Sequence, residues 1–336
     1  MITSLTRDTP PLSRFINPAS EVVAECNAIN CTSTLSVADP LPEHVAGLVH
    51  DSLAANSRRA YASDLIQFEA WGGTIPANDT MIAAYLADHA ESHAAATLVR
   101  WLTSLAKAHR AMGVPDPTRS ELVQSVLQGV RRRYGSVPDQ AKPLLREDLL
   151  LILDGIGQGT KAARDRALLL IGFAGGFRRS ELVGLDRADL EPVKQGIVVT
   201  IRRSKTDQLG VGRKIGIPYA RGRHCPVVAL TAWLDQASII AGPIFRPVNR
   251  HGHVGSQRLS GEAVALVVRD RLDAVGINPS GYSGHSLRAG FATSAAQAGV
   301  SSWKIRAQTG HASDAMLARY IRDGEIFVDN AAGALL

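Results

Sequence analysis

The sequence predicts a mainly α protein with a small antiparallel β-sheet, arranged as two domains. Three observations carry that expectation. Apolar residues recur at helical spacing from about Pro42 to Tyr134; two β-branched runs, Gly196–Arg203 and Lys214–Tyr219, interrupt a second set of helical segments; and the stretch 135–143, rich in Gly, Pro and polar residues, separates the two blocks. A chain of 336 residues, 45% of them apolar, is also long for a single core.

Residues 1–40 are rich in Ser, Thr, Pro and Asn without sustained period, and predict a flexible leader. Residues 41–134 predict an all-helical domain. Asn56 and Ser57 are expected to cap a helix over Arg58–Trp71, Asn78 precedes Met81–His89, and Ala94–Met112 repeats apolar residues every three or four positions. Arg58 and Arg59 open one helix and Arg131, Arg132 and Arg133 close another, so cations gather at helix ends that can face a phosphate backbone; plain solvated charge is the alternative.

The segment 135–143 reads as an interdomain linker, and the second domain spans 144–336. Its helices are expected at Arg146–Leu153 and Ala162–Phe173, then, after the two strands, at Val227–Gln236, Gly261–Val275, His285–Ala298 and Trp303–Thr309, with helical pattern again from Ala312. Two strands joined by a Gly-containing turn predict an antiparallel pair.

Charge is unevenly placed. Residues 141–336 hold 26 Lys or Arg against 17 Asp or Glu, an excess of nine that suits a polyanion such as DNA, although a basic surface alone has the same signature. Cys26, Cys31 and Cys225 form no C-x-x-C pair and are odd in number, which speaks against a disulfide framework or zinc knuckle and for a reducing cytoplasm. The most apolar stretch, Ala167 to Phe177, is too short to cross a bilayer. His251 and His253 have metal-ligand chemistry, but a polar loop explains them; no metal site is expected. Gly155 to Lys161 places its lysine wrongly for a phosphate-binding loop, so no nucleotide site is expected either.

Four segments of the second domain bring polar groups into an apolar frame. Gly176-Phe177-Arg178-Arg179-Ser180-Glu181-Leu182 sets an arginine between a glycine turn and a helix carrying an acid three positions on. Arg203-Ser204-Lys205-Thr206-Asp207 ends a strand. His285-Ser286-Leu287-Arg288 puts an imidazole and a guanidinium at i, i+3, and Thr309-Gly310-His311 precedes Tyr320 by nine residues. Each has an ordinary explanation, such as Arg178 pairing with its own Glu181.

Their order, Arg-x-Ser-Glu-Leu, Lys, His-x-x-Arg, Gly-His and a late Tyr, resembles the tyrosine recombinase and phage integrase family. In the first domain, Ser57-Arg58-Arg59-Ala60-Tyr61 and Phe68–Trp71 resemble the core-binding helical domain of Cre-like members, so the resemblance covers roughly residues 42–330. It implies an all-helical core-binding domain joined to a mixed α+β catalytic domain, and site-specific cleavage and rejoining of double-stranded DNA with no metal and no cofactor.

The resemblance also implies roles. Arg178 and Arg288 would clamp the scissile phosphate, Tyr320 would be the nucleophile, His285 would accept or position its proton, Lys205 would protonate the departing 5′-oxygen, and His311 would hydrogen-bond the phosphate. Glu181 would orient Arg178 or His285. Planar guanidiniums suit the clamp because charge spreads over the non-bridging oxygens of the transition state, and an ammonium suits the acid because arginine does not release its proton. Arg58, Arg59, Arg131, Arg132, Arg133 and Arg203 would contact DNA. Partners would be double-stranded DNA and further copies of the chain, two per site and four in synapsis, with the apolar tail after Tyr320 joining protomers; the place of action would be the cytoplasm, at the nucleoid. Two alternatives share these motifs: a type IB topoisomerase-like relaxer, and a DNA-binding regulator that has lost catalysis.

Overall fold

The computed structural model describes residues 42–135, 140–202 and 212–311, with positions 313, 315, 317, 318 and 320. The leader, Arg203, Lys205 with the turn that follows it, and the tail beyond Tyr320 lie outside the described residues. The chain divides into two compact units, Met1–Asp139 and Gln140–Leu336.

The first unit is helical: α1 (Glu43–Asp51), α2 (Ala55–Ala70), α3 (Asp79–Asp88), α4 (Ala95–Ala111) and α5 (Glu121–Tyr134). Leu65, Phe68, Ile82, Tyr85, Leu86, Leu98, Trp101, Leu105, Val123 and Leu127 form its core. Asn78 caps α3 by accepting from the Met81 amide at 2.8 Å. The expected cap at Asn56 and Ser57 is not there. Helix α2 begins earlier, with Ala54 at its N-cap and no side-chain cap, because the alanines at 54 and 55 extend the helix backward; Asn56 Oδ1 instead accepts from the Arg59 guanidinium at 2.5 Å. Arg58 and Arg59 therefore sit inside the first turns of α2 and do not open it.

The second unit contains α6 (Arg146–Gly155), α7 (Thr160–Ala174), α8 (Arg179–Gly184), β1 (Leu190–Val193), β2 (Gly196–Ile201), β3 (Arg213–Pro218), α9 (Pro226–Gln236), α10 (Gly261–Asp273), α11 (Ser286–Gln297) and α12 (Ser302–Thr309). The antiparallel sheet has the order β1-β2-β3. Strand β1 was not legible in the sequence, since four residues that include Glu191 and Pro192 carry no strand pattern. In the β2–β3 register Val199 faces Ile215 and Ile197 faces Ile217, all four buried, and Ile201 faces Arg213. Helix α7, apolar on most of its surface, packs on α9 and α11 at the centre of the core. The segment entering α6 is tied to α11: the Leu144 amide donates to the Ser286 carbonyl at 3.0 Å, and a Cβ at Gly290 would meet the Leu144 carbonyl oxygen at 1.7 Å.

Candidate active site

The site is built around the turn that ends α12. Thr309 closes the helix, Gly310 adopts φ 67° as a left-handed C-cap, and His311 follows directly. A helix end leaves carbonyls without partners, and here arginines supply the donors. Arg213 Nη1 donates to the Gln308 carbonyl at 3.2 Å, Arg288 Nη1 donates to the Thr309 carbonyl, and Arg178 Nη2 donates to the Gly310 carbonyl at 2.9 Å. Three successive carbonyls are held by three arginines from three different elements.

Arg178 is placed by the turn between α7 and α8. Gly176 has φ 56°, and a Cβ there would stand 2.9 Å from Thr309 Cγ2 and 3.0 Å from Phe291 Cδ1, so the chain reverses tightly against α11 and α12. Arg178 then becomes the N-cap of α8. Glu181, three residues on, accepts from the Arg178 amide through Oε2 at 2.9 Å and from its guanidinium through Oε1 at 2.6 Å. The buried carboxylate also takes Arg213 Nη2 on Oε2, at 3.0 Å. Its two cations are thus Arg178 and Arg213, where the sequence reading offered Arg178 or His285.

Helix α11 supplies Arg288, whose side chain is among the largest that are fully buried. Both Nη1 protons are used, one on Thr309 and one on the Gly176 carbonyl at 2.9 Å. Burial pulls its pKa down to about 10, with Arg178 adding to the shift and Glu181 opposing it, so it remains a cation at neutral pH. His285 is the exposed N-cap of the same helix, its amide held by the Ser283 hydroxyl at 3.1 Å.

His311 is buried, and its pKa is driven down to about 3. Burial is the largest cause, followed by the charges of Arg288, Arg178, His285 and Arg213. The ring is therefore neutral. The Thr309 hydroxyl lies 2.7 Å from the Ile305 carbonyl and 2.8 Å from His311 Nδ1. A hydroxyl has one proton, the carbonyl takes it, and so Nδ1–H donates to Thr309 Oγ1 while Nε2 is left as an acceptor. The Tyr320 ring stands 5.7 Å from the His311 ring, packed with Ala292, Ala296, Ile305 and Leu317.

The structure thus brings Arg178, Glu181, Arg288, His311 and Tyr320 to one place, with His285 near enough to influence His311. Arg213 was missed by the sequence reading, which began β3 at Lys214. Extending the alternation of Ile217 and Ile215 back by two residues would have placed it on the buried face. Arg131, Arg132 and Arg133 are exposed at the end of α5, Arg59 is exposed, and Arg58 is half-buried with its guanidinium on the Leu53 carbonyl. His251 and His253 lie in a loop whose amides both bind Asn249 Oδ1, and among the described residues no group of three or more His, Cys, Asp or Glu could hold a metal ion. No described helix is long and apolar enough to cross a membrane.

Residues 142–325 match the phage integrase family. The chain is 40% identical over 290 residues to an integrase/recombinase XerD homologue of Selenomonas ruminantium, covering 83% of this chain and 85% of that one. In fold it is similar to the XerH site-specific recombinase in a post-cleavage complex with its palindromic difH substrate, with TM-score 0.59 and 18% identity over 86% of this chain and 83% of the other. It is also similar to a lambda integrase tetramer bound to a Holliday junction, with TM-score 0.56 and 20% identity over 81% of this chain and 73% of the other. With the family match spanning more than half its length and a relative 40% identical over 83% of it, the chain belongs to the phage integrase family of tyrosine recombinases.

Proposed function

We propose that the protein is a site-specific recombinase that cuts and rejoins DNA through a covalent bond between Tyr320 and a 3′-phosphate. The supporting observation is the convergence of Arg178, Arg288, His311 and Tyr320 on the turn 308–311. Arg178 and Arg288 present permanent charge to the non-bridging oxygens, where the transition state gathers negative charge. Tyr320 Oη attacks phosphorus and the bond from phosphorus to the 5′-oxygen breaks. The phenol proton passes to His285, and Lys205 protonates the departing oxygen. A 5′-hydroxyl from another strand reverses these steps, because the phosphotyrosine conserves the energy of the broken bond.

His311 begins neutral. A phosphate arriving among the guanidiniums favours its protonation, after which Nε2 donates to a phosphate oxygen. The first unit is assigned to binding core DNA, with Arg58, Arg59 and Arg131 to Arg133, together with Arg203, on the phosphate backbone. Strand exchange between two duplexes needs four nucleophiles, which supports two protomers on each site and a tetramer in synapsis, with the tail beyond Tyr320 assigned to contacts between protomers. Such a substrate places the protein in the cytoplasm, at the nucleoid.

The test is covalent trapping. A nicked suicide DNA site selected from a random library is incubated with the protein, and the adduct is sought on a denaturing gel. Wild type is expected to form it and Tyr320→Phe to bind the same DNA without forming it. An adduct that persists in Tyr320→Phe sinks the assignment of the nucleophile.

A further inference from the structure

Side chains alternate along a strand, so Arg213 points to the same buried face of β3 as Ile215 and Ile217. A cation on that face must be matched. Nη2 reaches Glu181 Oε2 at 3.0 Å and Nη1 reaches the Gln308 carbonyl at 3.2 Å, while Nε is buried without a partner among the described residues. The approach to the end of α12 is close. A Cβ at Gly310 would lie 1.9 Å from Arg213 Nη1 and 2.6 Å from Cζ, so the glycine both supplies the left-handed cap and leaves room for the guanidinium.

Charge counting gives this contact its meaning. Among the described residues Glu181 is the one acid in an ion pair with Arg178, and it meets two guanidiniums. With Arg213 present its charge is offset twice, and Arg178 keeps net positive charge for an incoming anion. Were Arg213 absent, the carboxylate would neutralise Arg178 alone, and the Gln308 carbonyl, two residues before Gly310, would lose its donor.

We infer that Arg213 is a positioning residue of the reaction: by holding Glu181 and the end of α12 together it sets Arg178 and His311 toward the scissile phosphate. This rests on the recombinase reading above. Lysine would replace the charge but not the planar fork that spans both acceptors. The groups whose charge acts on His311 are Arg288, Arg178, His285 and Arg213; Tyr320 packs beside its ring, and Arg306 Nε binds its carbonyl at 3.1 Å.

The experiment compares Arg213→Met and Arg213→Lys with wild type in two measurements. The first is the rate of adduct formation on the nicked site, with DNA affinity measured in parallel. For Arg213→Met the rate is expected to fall about 10–100-fold, the usual effect of losing a group that orients a site, with affinity unchanged. Arg213→Lys recovers part of the loss. The second is the titration of His311 followed by NMR on protein labelled with 15N-histidine. Its midpoint is expected to rise in Arg213→Met and to stay in place in Arg213→Lys, since one like charge is removed in the former only. A merely structural arginine would leave the rate of adduct formation unchanged in a folded variant. An unchanged rate overturns the inference wherever the midpoint falls, as does a loss of affinity equal to the loss of rate. Should Arg213→Met fail to fold, Arg213→Gln, which removes the charge and keeps a polar group, carries the same two measurements. If wild type forms no adduct, the recombinase reading fails, and the titration by itself decides whether Arg213 acts on His311.

Discussion

Arg178 grips Glu181 with both its backbone and its side chain: the amide meets Oε2 at 2.9 Å and the guanidinium meets Oε1 at 2.6 Å. One carboxylate therefore starts α8 and fixes the direction of the Arg178 guanidinium. Replacing Glu181 by Gln removes the negative charge while keeping the size, and leaves two guanidiniums facing each other in a buried setting. Breaking such a pair from one side costs about 3–5 kcal/mol. Glu181→Gln is expected to lower the thermal midpoint clearly and to slow adduct formation while DNA affinity holds. An unchanged midpoint would show that the carboxylate does not hold this corner together.

Arg178→Ala and Arg288→Ala are expected to reduce cleavage by about 100–1000-fold, as losing one donor to a developing charge does, and to leave DNA affinity within a few-fold of wild type. Both should also lose stability, Arg178→Ala because buried Glu181 loses a partner and the Gly310 carbonyl its donor. Arg288 satisfies the buried Gly176 and Thr309 carbonyls, and orphaning a buried acceptor costs about 1–3 kcal/mol. Single-turnover cleavage, filter binding and thermal melts on both variants check the two expectations together; a loss of affinity matching the loss of rate would overturn the clamp assignment.

His311 couples stability to pH. Its folded pKa, about 3, lies below the ordinary histidine value of 6.5, so between these values the unfolded chain binds a proton that the folded chain does not. This contribution to stability is complete above pH 6.5 and declines as pH falls toward 3. At pH 5 the deficit from this one group is about 2 kcal/mol. His311→Asn should therefore lose less stability than wild type between pH 7.5 and pH 5, measured by urea unfolding at each pH. Parallel losses in the two proteins would show that the imidazole is not held neutral.

Arg131, Arg132 and Arg133 are exposed on the last turn of α5. If each meets a phosphate, replacing all three by Ala should flatten the plot of log affinity against log salt by nearly 3, about 0.9 for each lost contact. Titrations from low to physiological salt provide the slope. An unchanged slope would return the three arginines to the solvated surface.

Much of this protein was legible in the order of its residues. Helical periodicity, the paired β-branched runs and the spacings Arg178 to Glu181 and His285 to Arg288 are local properties, encoded within a few residues of each other, and they were enough to specify the mixed helical fold. It failed where local signals compete or run short, at the Ala54 start of α2 and at the four-residue β1. Which partner each charged group takes depends on long-range packing. Arg178 meets Gly310 across 132 residues and Arg213 meets Gln308 across 95, and no periodicity reaches that far. The neutrality of His311 belongs to this second class too, because it arises from burial beside four charges that folding alone assembles, and the low-polarity interior makes each of them count.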